Sequence, residues 1–295
     1  MRKAVIDMGT NSTRLAIAER IGDTFQIIDT IVAETRLGEG MGIERRIQPE
    51  PLARNVQAVE QFVQKAKEQD VESIRITATS AVRDAVNKDE VKQAISKCVG
   101  IPMEILPGTE EARLSYLGAS GDFTHLHRPL AVLDIGGGST ELVYQAGEVL
   151  HSSSVNMGAV RLLEHPELQA TIVETLRELR SDSFPEDCVL IAVGGTNTCL
   201  MAMELGLVQY DGTKIHGKMM TKKRVDDWSQ QLSSMTQNER EQIPGMKRKR
   251  ADIMPYGVQI LQKTMELLNV SEVIISDKGL VYGLLLEALA DPHSV

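Results

Sequence analysis

The chain repeats itself once, and that repeat constrains most of what it can become. Ala131–Tyr144 reads AVLDIGGGSTELVY, and Ala4–Ile17 reads AVIDMGTNSTRLAI. The two align without a gap, matching Ala4, Val5, Asp7, Gly9, Ser12, Thr13 and Leu15 to Ala131, Val132, Asp134, Gly136, Ser139, Thr140 and Leu142. In the later copy an apolar run, 130–133, leads into Asp134, glycines fill 136–138, and apolar residues resume at Leu142. That pattern is strand, tight turn, strand. Glycine has no Cβ and tolerates positive φ, so backbone N–H groups can close around an anion. An acid before such a turn and a hydroxyl after it suit a phosphate and its metal ion. The dinucleotide fingerprint is excluded, because no helix opens at the turn and the spacing differs. One such stretch alone reads equally well as a glycine-rich β-hairpin. Two in register, far apart in the chain, mark a duplicated unit. Two like domains would face each other across a cleft, each opening with a phosphate-facing hairpin.

A chain of 295 residues suits two such domains, each able to bury a core. Its 42% hydrophobic and 25% charged residues are those of a globular protein. The net charge of −9 argues against a protein that coats nucleic acid, although it leaves room for a local basic groove. Cys98, Cys188 and Cys199 are widely spaced, so neither zinc nor a disulfide framework is suggested, and a reduced cytoplasmic setting is expected. No stretch approaches the roughly 18 apolar residues of a membrane span.

Further elements follow from period and punctuation. Phe25–Leu37 alternates as a third strand, and Pro49-Glu50-Pro51 opens a helix with Leu52, Val56, Val59, Phe62 and Val63 on one face. Strand 73–79 runs into a short helix at 80–86, and Asn87 is placed to cap the next helix. Pro107-Gly108 stops a short strand, and Thr109 is expected to cap the helix TEEARLSYLGA. The second half repeats the plan, with a strand at 148–155, helices near 158–164 and 166–181, and an apolar strand at 188–193. That strand ends at Gly194-Gly195-Thr196, where a helix begins and an α/β sheet offers a ligand site. A turn or short hairpin at 211–219, helices near 221–235 and 247–268, a strand at 271–276 and a final helix complete the chain.

Taken together, DMGTNSTRL, TATSAVRDA, GTEEARLSYLGA, DIGGGSTEL, GGTNT, HGKMMT, PGMKRKRADIMPYG and SDKGLVYG resemble the exopolyphosphatase/guanosine pentaphosphate phosphohydrolase family. The resemblance spans the whole chain. It implies an α/β fold of two duplicated ribonuclease H-like domains of the actin-like ATPase and sugar-kinase superfamily, with a cleft between them. Residues 1–124 and 125–295 are the expected domains, the last helix at about 278–290 packing back on the first. The chain is similar to the short members, and none of its six histidines precedes Asp, so the appended His-Asp domain of longer members is not expected.

The same resemblance gives Glu110 and Glu111 the catalytic part, Glu111 as general base, and Asp134 and Glu141 the Mg²⁺ and attacking water. Asp7, Gly9, Thr10, Asn11 and Ser12 match the first phosphate loop, and Gly136, Gly137, Gly138, Ser139 and Thr140 the second. Gly194, Gly195 and Thr196 match a turn facing a nucleoside or the far end of a phosphate chain, and Arg83 falls at a cleft arginine. The substrate implied is inorganic polyphosphate, with guanosine pentaphosphate as the alternative. No nucleic acid or membrane partner is expected, and the resemblance implies a homodimer. Near the C-terminus Val281 and Tyr282 replace the usual Arg-Glu pair, which keeps open a nucleotide-sensing module of weak turnover. An actin-like sugar kinase fits less well, since no sugar-binding pattern is evident. Acids in a first helical turn commonly just offset the macrodipole, so Glu110 and Glu111 also have a structural reading. The clusters Lys222-Lys223-Arg224 and Lys247–Arg250 read either as solvated faces or as a track for a long polyanion. His216 is expected to be structural.

Overall fold

The computed structural model describes residues 1–22 and 24–290. Its strands are β1 Arg2–Met8, β2 Thr13–Ile21, β3 Thr24–Ala33, β4 Ser73–Ala78 and β5 Met103–Ile105, then β6 Leu130–Ile135, β7 Thr140–Ala146, β8 Val149–Val155, β9 Val189–Val193, β10 Lys218–Thr221 and β11 Glu272–Ile275. They form two sheets, ordered β3-β2-β1-β4-β5 and β10-β11-β9-β6-β7-β8. Apart from the edge strand β10, the second sheet repeats the first. In each, a three-stranded antiparallel meander continues into parallel strands. Even the registers agree. Ala4 faces Ile17 and Asp7 faces Arg14, as Ala131 faces Tyr144 and Asp134 faces Glu141.

Each sheet has its own apolar core. Ile6, Leu15 and Ile76 pack with Val59 and Phe62 of the helix Pro49–Lys67 in the first, and Leu133, Leu142 and Leu190 with Leu261 of the helix Met254–Leu268 in the second. The helix Gly108–Ser120 lies between the sheets, with Leu114 toward Val5 and Ala16 and with Tyr116 and Ala119 against Leu130 and Val189. The helix Leu280–Ala290 returns to the first sheet, burying Leu280, Leu284, Leu285 and Leu289 there. Burying each leucine contributes about 1.5–3 kcal/mol. Glycines allow the two helices to touch. A Cβ on Gly283 would meet the Leu114 carbonyl oxygen at 1.9 Å, and one on Gly118 would meet that of Gly279 at 2.2 Å.

Several local expectations are corrected. The helix carrying Glu111 starts at Gly108 with Pro107 at its cap, and the Pro107 carbonyl accepts from the N–H groups of Glu110 and Glu111, so Thr109 lies inside the first turn. Asn87 does head its helix but caps nothing, because its amide is spent on both backbone groups of Ile47. The third strand ends at Ala33. Residues 166–181 divide into a 3-10 turn at Pro166–Thr171 and a short helix at Ile172–Arg177. The helix expected from 247 begins at Met254, since Pro255 has no N–H to extend an earlier turn. Segment 211–219 gives a helical turn, Gly212–Ile215, capped by Asp211, and then the start of β10.

Candidate active site

Both glycine turns end at one cleft of about 750 Å³ between the sheets. The turns interlock. A Cβ on Gly137 would come within 2.9 Å of the Thr10 Cβ, so only glycine lets the second turn sit against the first. The Thr10 and Ser80 hydroxyls share a 2.9 Å hydrogen bond behind them. The cleft wall contains Asp7, Gly9–Ser12, Asp134, Gly136, Gly137 and Ser139, together with 194–196 at the start of the helix Gly195–Glu204. Asn11 is buried there with neither side-chain polar atom hydrogen-bonded, which is costly unless a ligand completes it.

Several carboxylates stand on or just behind the cleft wall. Glu111 and Asp134 line the cleft, and Glu141 lies just behind, cross-strand from Asp134. Burial pushes the Asp7 and Glu141 carboxyls up to about 7, with the charge of Asp134 adding to each. Glu111 is raised well above the ordinary carboxylate range, first by burial and then by the charge of Glu141. Asp134 is raised by burial too, against a hydrogen bond from Ser115. Arg83 offsets part of this. Its Nη1 donates to Glu111 Oε2 at 2.8 Å and to the Leu106 carbonyl at 3.0 Å. Asp7 Oδ1 and Glu141 Oε2 have no hydrogen-bond partner. Hard oxygen donors with unmet lone pairs and mutually repelling charges fit a divalent cation. Among the described residues no group of three or more acidic, histidine or cysteine side chains is placed to hold a metal ion together.

Cationic side chains line the cleft as well. Arg14 lines it, cross-strand from Asp7. Arg250 is 5% exposed and donates from Nη2 to the Ser12 hydroxyl at 3.0 Å, with Glu34 3.5 Å from its Nε. Gly195 leaves room for it, since a Cβ there would stand 2.4 Å from the guanidinium. Lys247 Nζ sits 4.1 Å from the centre of the Tyr210 ring.

The sequence profile of the Ppx/GppA phosphatase family matches residues 16–291. The chain belongs to that family. It is similar to exopolyphosphatase 2 of Mycobacterium tuberculosis, 31% identical over 97% of this chain and 98% of that protein. A Ppx/GppA family member of known structure from Aquifex aeolicus is 30% identical with a TM-score of 0.81, covering 100% of this chain and 99% of that one. An exopolyphosphatase structure from Cytophaga hutchinsonii, 24% identical and covering 98% of each chain, shares the fold at a TM-score of 0.87. The duplicated actin-like architecture is therefore that of Ppx/GppA phosphatases.

Within this Ppx/GppA fold, some expected site residues stand elsewhere. Glu110 is turned out of the cleft and paired with Arg113 at 2.7 and 2.9 Å, because neighbours on a helix point about 100° apart. Arg83 holds Glu111 rather than walling the cleft. Thr140 faces the core, its hydroxyl donating to the Met157 carbonyl at 2.5 Å. Gly138 faces a small pocket behind the turns, against Ser80 and Thr10. Glu141 does not reach the cleft surface. Sequence reasoning passed over Arg14, although it sits in the aligned hairpin at the position of Glu141. Ser154 and Tyr210 carried no sequence signal, whereas Ser115 and Asp277 fell inside the GTEEARLSYLGA and SDKGLVYG segments without a role of their own.

Lys222, Lys223 and Arg224 are paired with Asp226, Asp227 and Glu204, which makes them a solvated face. His216 ties elements together, its Nε2 3.1 Å from Asp122 and its Nδ1 3.3 Å from the Ser276 hydroxyl. Tyr282 packs its ring 4.7 Å from that of Phe25 on β3, so an aromatic contact occupies the place of the usual charged pair. Ion pairs between the halves occur elsewhere, as Arg161–Asp84 and Arg36–Asp252. Among the described residues no helix is long and apolar enough to cross a membrane.

Proposed function

We propose that this Ppx/GppA phosphatase is an exopolyphosphatase, releasing orthophosphate from the end of inorganic polyphosphate with Mg²⁺. The observation that carries this reading is Glu111, 7% exposed on the wall of a cleft that both glycine turns, Asp7 and Asp134 also line, with Glu141 buried behind Asp134. The turn amides bind the terminal phosphoryl group. Glu111 takes the proton of a water whose oxygen attacks the terminal phosphorus. The P–O–P bond breaks, and its electron pair leaves with the shortened chain, which needs no strong acid. A buried carboxylate of raised proton affinity is a better base near neutral pH than a free one. Arg83 holds one Glu111 oxygen and so orients the other. Mg²⁺, when bound, neutralises the phosphate oxygens, and Asp134 and Glu141, with Asp7 beside them, are the residues that would hold it.

The test is phosphate release from long and short polyphosphate, guanosine pentaphosphate and ATP. Glu111→Gln should lower the rate about 10²–10⁴-fold with a folded protein and little change in KM. A rate within threefold of wild type would remove Glu111 from the chemistry. A second reading, guanosine pentaphosphate, draws on Asp277, which lines the cleft and accepts from the Tyr210 hydroxyl. A carboxylate repels phosphate but accepts from the N–H edge of guanine. Higher kcat/KM for the guanine nucleotide than for polyphosphate, lost in Asp277→Ala, would select it.

A further inference from the structure

Two serines, Ser115 buried and Ser154 half-buried, stand where neither packing nor local propensity asks for a hydroxyl. Ser115 is 1% exposed in the middle of the helix Gly108–Ser120, where alanine would form the better helix. It lies one turn after Glu111 on the same face, and its hydroxyl donates to Asp134 Oδ2 at 2.8 Å. Ser154 is on β8, in a run of three serines that favours a strand poorly. Its hydroxyl donates to Glu141 Oε1 at 2.7 Å. Asp134, Glu141 and Ser154 form one row across β6, β7 and β8, each directly opposite the next. Gly108 brings the start of the Glu111 helix onto the end of that row, since a Cβ there would lie 2.8 Å from the Ser154 hydroxyl oxygen.

We infer that Ser115 and Ser154 are positioning residues that set this corner's affinity for a divalent cation, an inference resting on the metal-dependent reading above. Each fixes one oxygen of an acid. Glu141 Oε2 is then left without a partner, and Asp134 faces the cleft. Ser115 also ties the Glu111 helix to Asp134 at one end of the row, and Gly108 lets the start of that helix close on Ser154 at the other.

The experiment measures Mn²⁺ binding by paramagnetic resonance in EDTA-stripped full-length protein, for wild type, Ser115→Ala, Ser154→Ala and Ser152→Ala. Ser152 donates only to the Thr109 carbonyl and serves as the structural control. Partners that orient metal ligands are worth about 10–100-fold in metal affinity. The Mn²⁺ Kd should rise by about that factor in Ser115→Ala and Ser154→Ala and stay within about twofold in Ser152→Ala. The Mg²⁺ concentration for half-activation should follow it, with kcat at saturating Mg²⁺ changed much less. Unchanged Kd values in both test variants, with wild type binding Mn²⁺ and all melting curves cooperative, would overturn the inference. Wild type that binds no Mn²⁺ and hydrolyses polyphosphate equally well in EDTA would instead overturn the metal-dependent reading, and this inference with it. Ser115→Ala favours the helix, so a failure to fold does not obscure the result.

Discussion

The two glycine hairpins share a register and a turn, yet the residue opposite the leading acid differs. Asp7 faces Arg14 in the first, and Asp134 faces Glu141 in the second. One hairpin therefore presents a cation to its half of the cleft, and the other adds a second carboxylate. Arg14 lowers the proton affinity of both Asp7 and Asp134, whereas Asp134 raises that of Glu141. Duplication supplied the cradle twice, and on the function proposed above divergence at one strand position divides the labour between gathering phosphate and holding a cation. What did not diverge is equally informative. Thr13 and Thr140 are both fully buried, the one donating to Asn55 Oδ1 at 2.6 Å and the other to the Met157 carbonyl. That hydroxyl serves the fold in both copies.

The asymmetry breaks most sharply at its acidic end. Glu141→Gln should raise the Mg²⁺ requirement and lower phosphate release by about 100-fold or more, with polyphosphate still bound. Arg14→Gln should act in the opposite sense, raising KM about tenfold and leaving half-activation by Mg²⁺ unchanged. If both variants shift the same parameter, the division of labour is wrong.

A smaller effect is expected from pH. Asp7 and Glu141, at about 7, hold protons in the folded state that the unfolded chain releases near their ordinary values of 3.8 and 4.5. The folded state thus binds more protons, and these groups cost stability progressively as pH rises from about 4 through 7. In EDTA the Tm should fall by several degrees between pH 5 and pH 8. Because Mg²⁺ competes with those protons, it should raise the Tm more at pH 8 than at pH 5. An equal Mg²⁺ shift at both pH values would show that the buried acids do not hold the ion.

Thr140→Val would separate fold from site within the second hairpin. Leaving the Met157 carbonyl unpaired should cost about 1–3 kcal/mol in chemical denaturation, with KM unaltered. The smallest effect belongs to the rim. Charge reversal at Arg248 and Lys249, both exposed beside the cleft-lining Lys247, should weaken long-chain polyphosphate a few-fold and short chains hardly at all. Equal weakening of both lengths would exclude a track.

Much of the architecture was legible in residue order because its signals are local. An apolar run, an acid, glycines and a hydroxyl define a hairpin whatever surrounds them, and their recurrence in register announced the two matching sheets. Local rules failed where a longer-range partner outbid them. Asn87 was drawn to Ile47 instead of its own helix, and Thr109 lost the cap to Pro107. The site was legible only as a set of candidates. Family resemblance gave Glu110 and Glu111 a shared role, and the pitch of one helix turned the first to Arg113 and the second into the cleft.

The amino-acid sequence by itself determined the duplication, the two turns, the acids that lead into them and the family. Tertiary structure alone decided which acids meet, that Arg83 holds Glu111, that Arg250 reaches Ser12 from the far half, and that two serines brace the carboxylate row. The physical reason is distance along the chain. Turn chemistry is settled among residues a few positions apart, whereas side chains from five strands and several helices acquire their proton affinities and partners only once packing has excluded water between them.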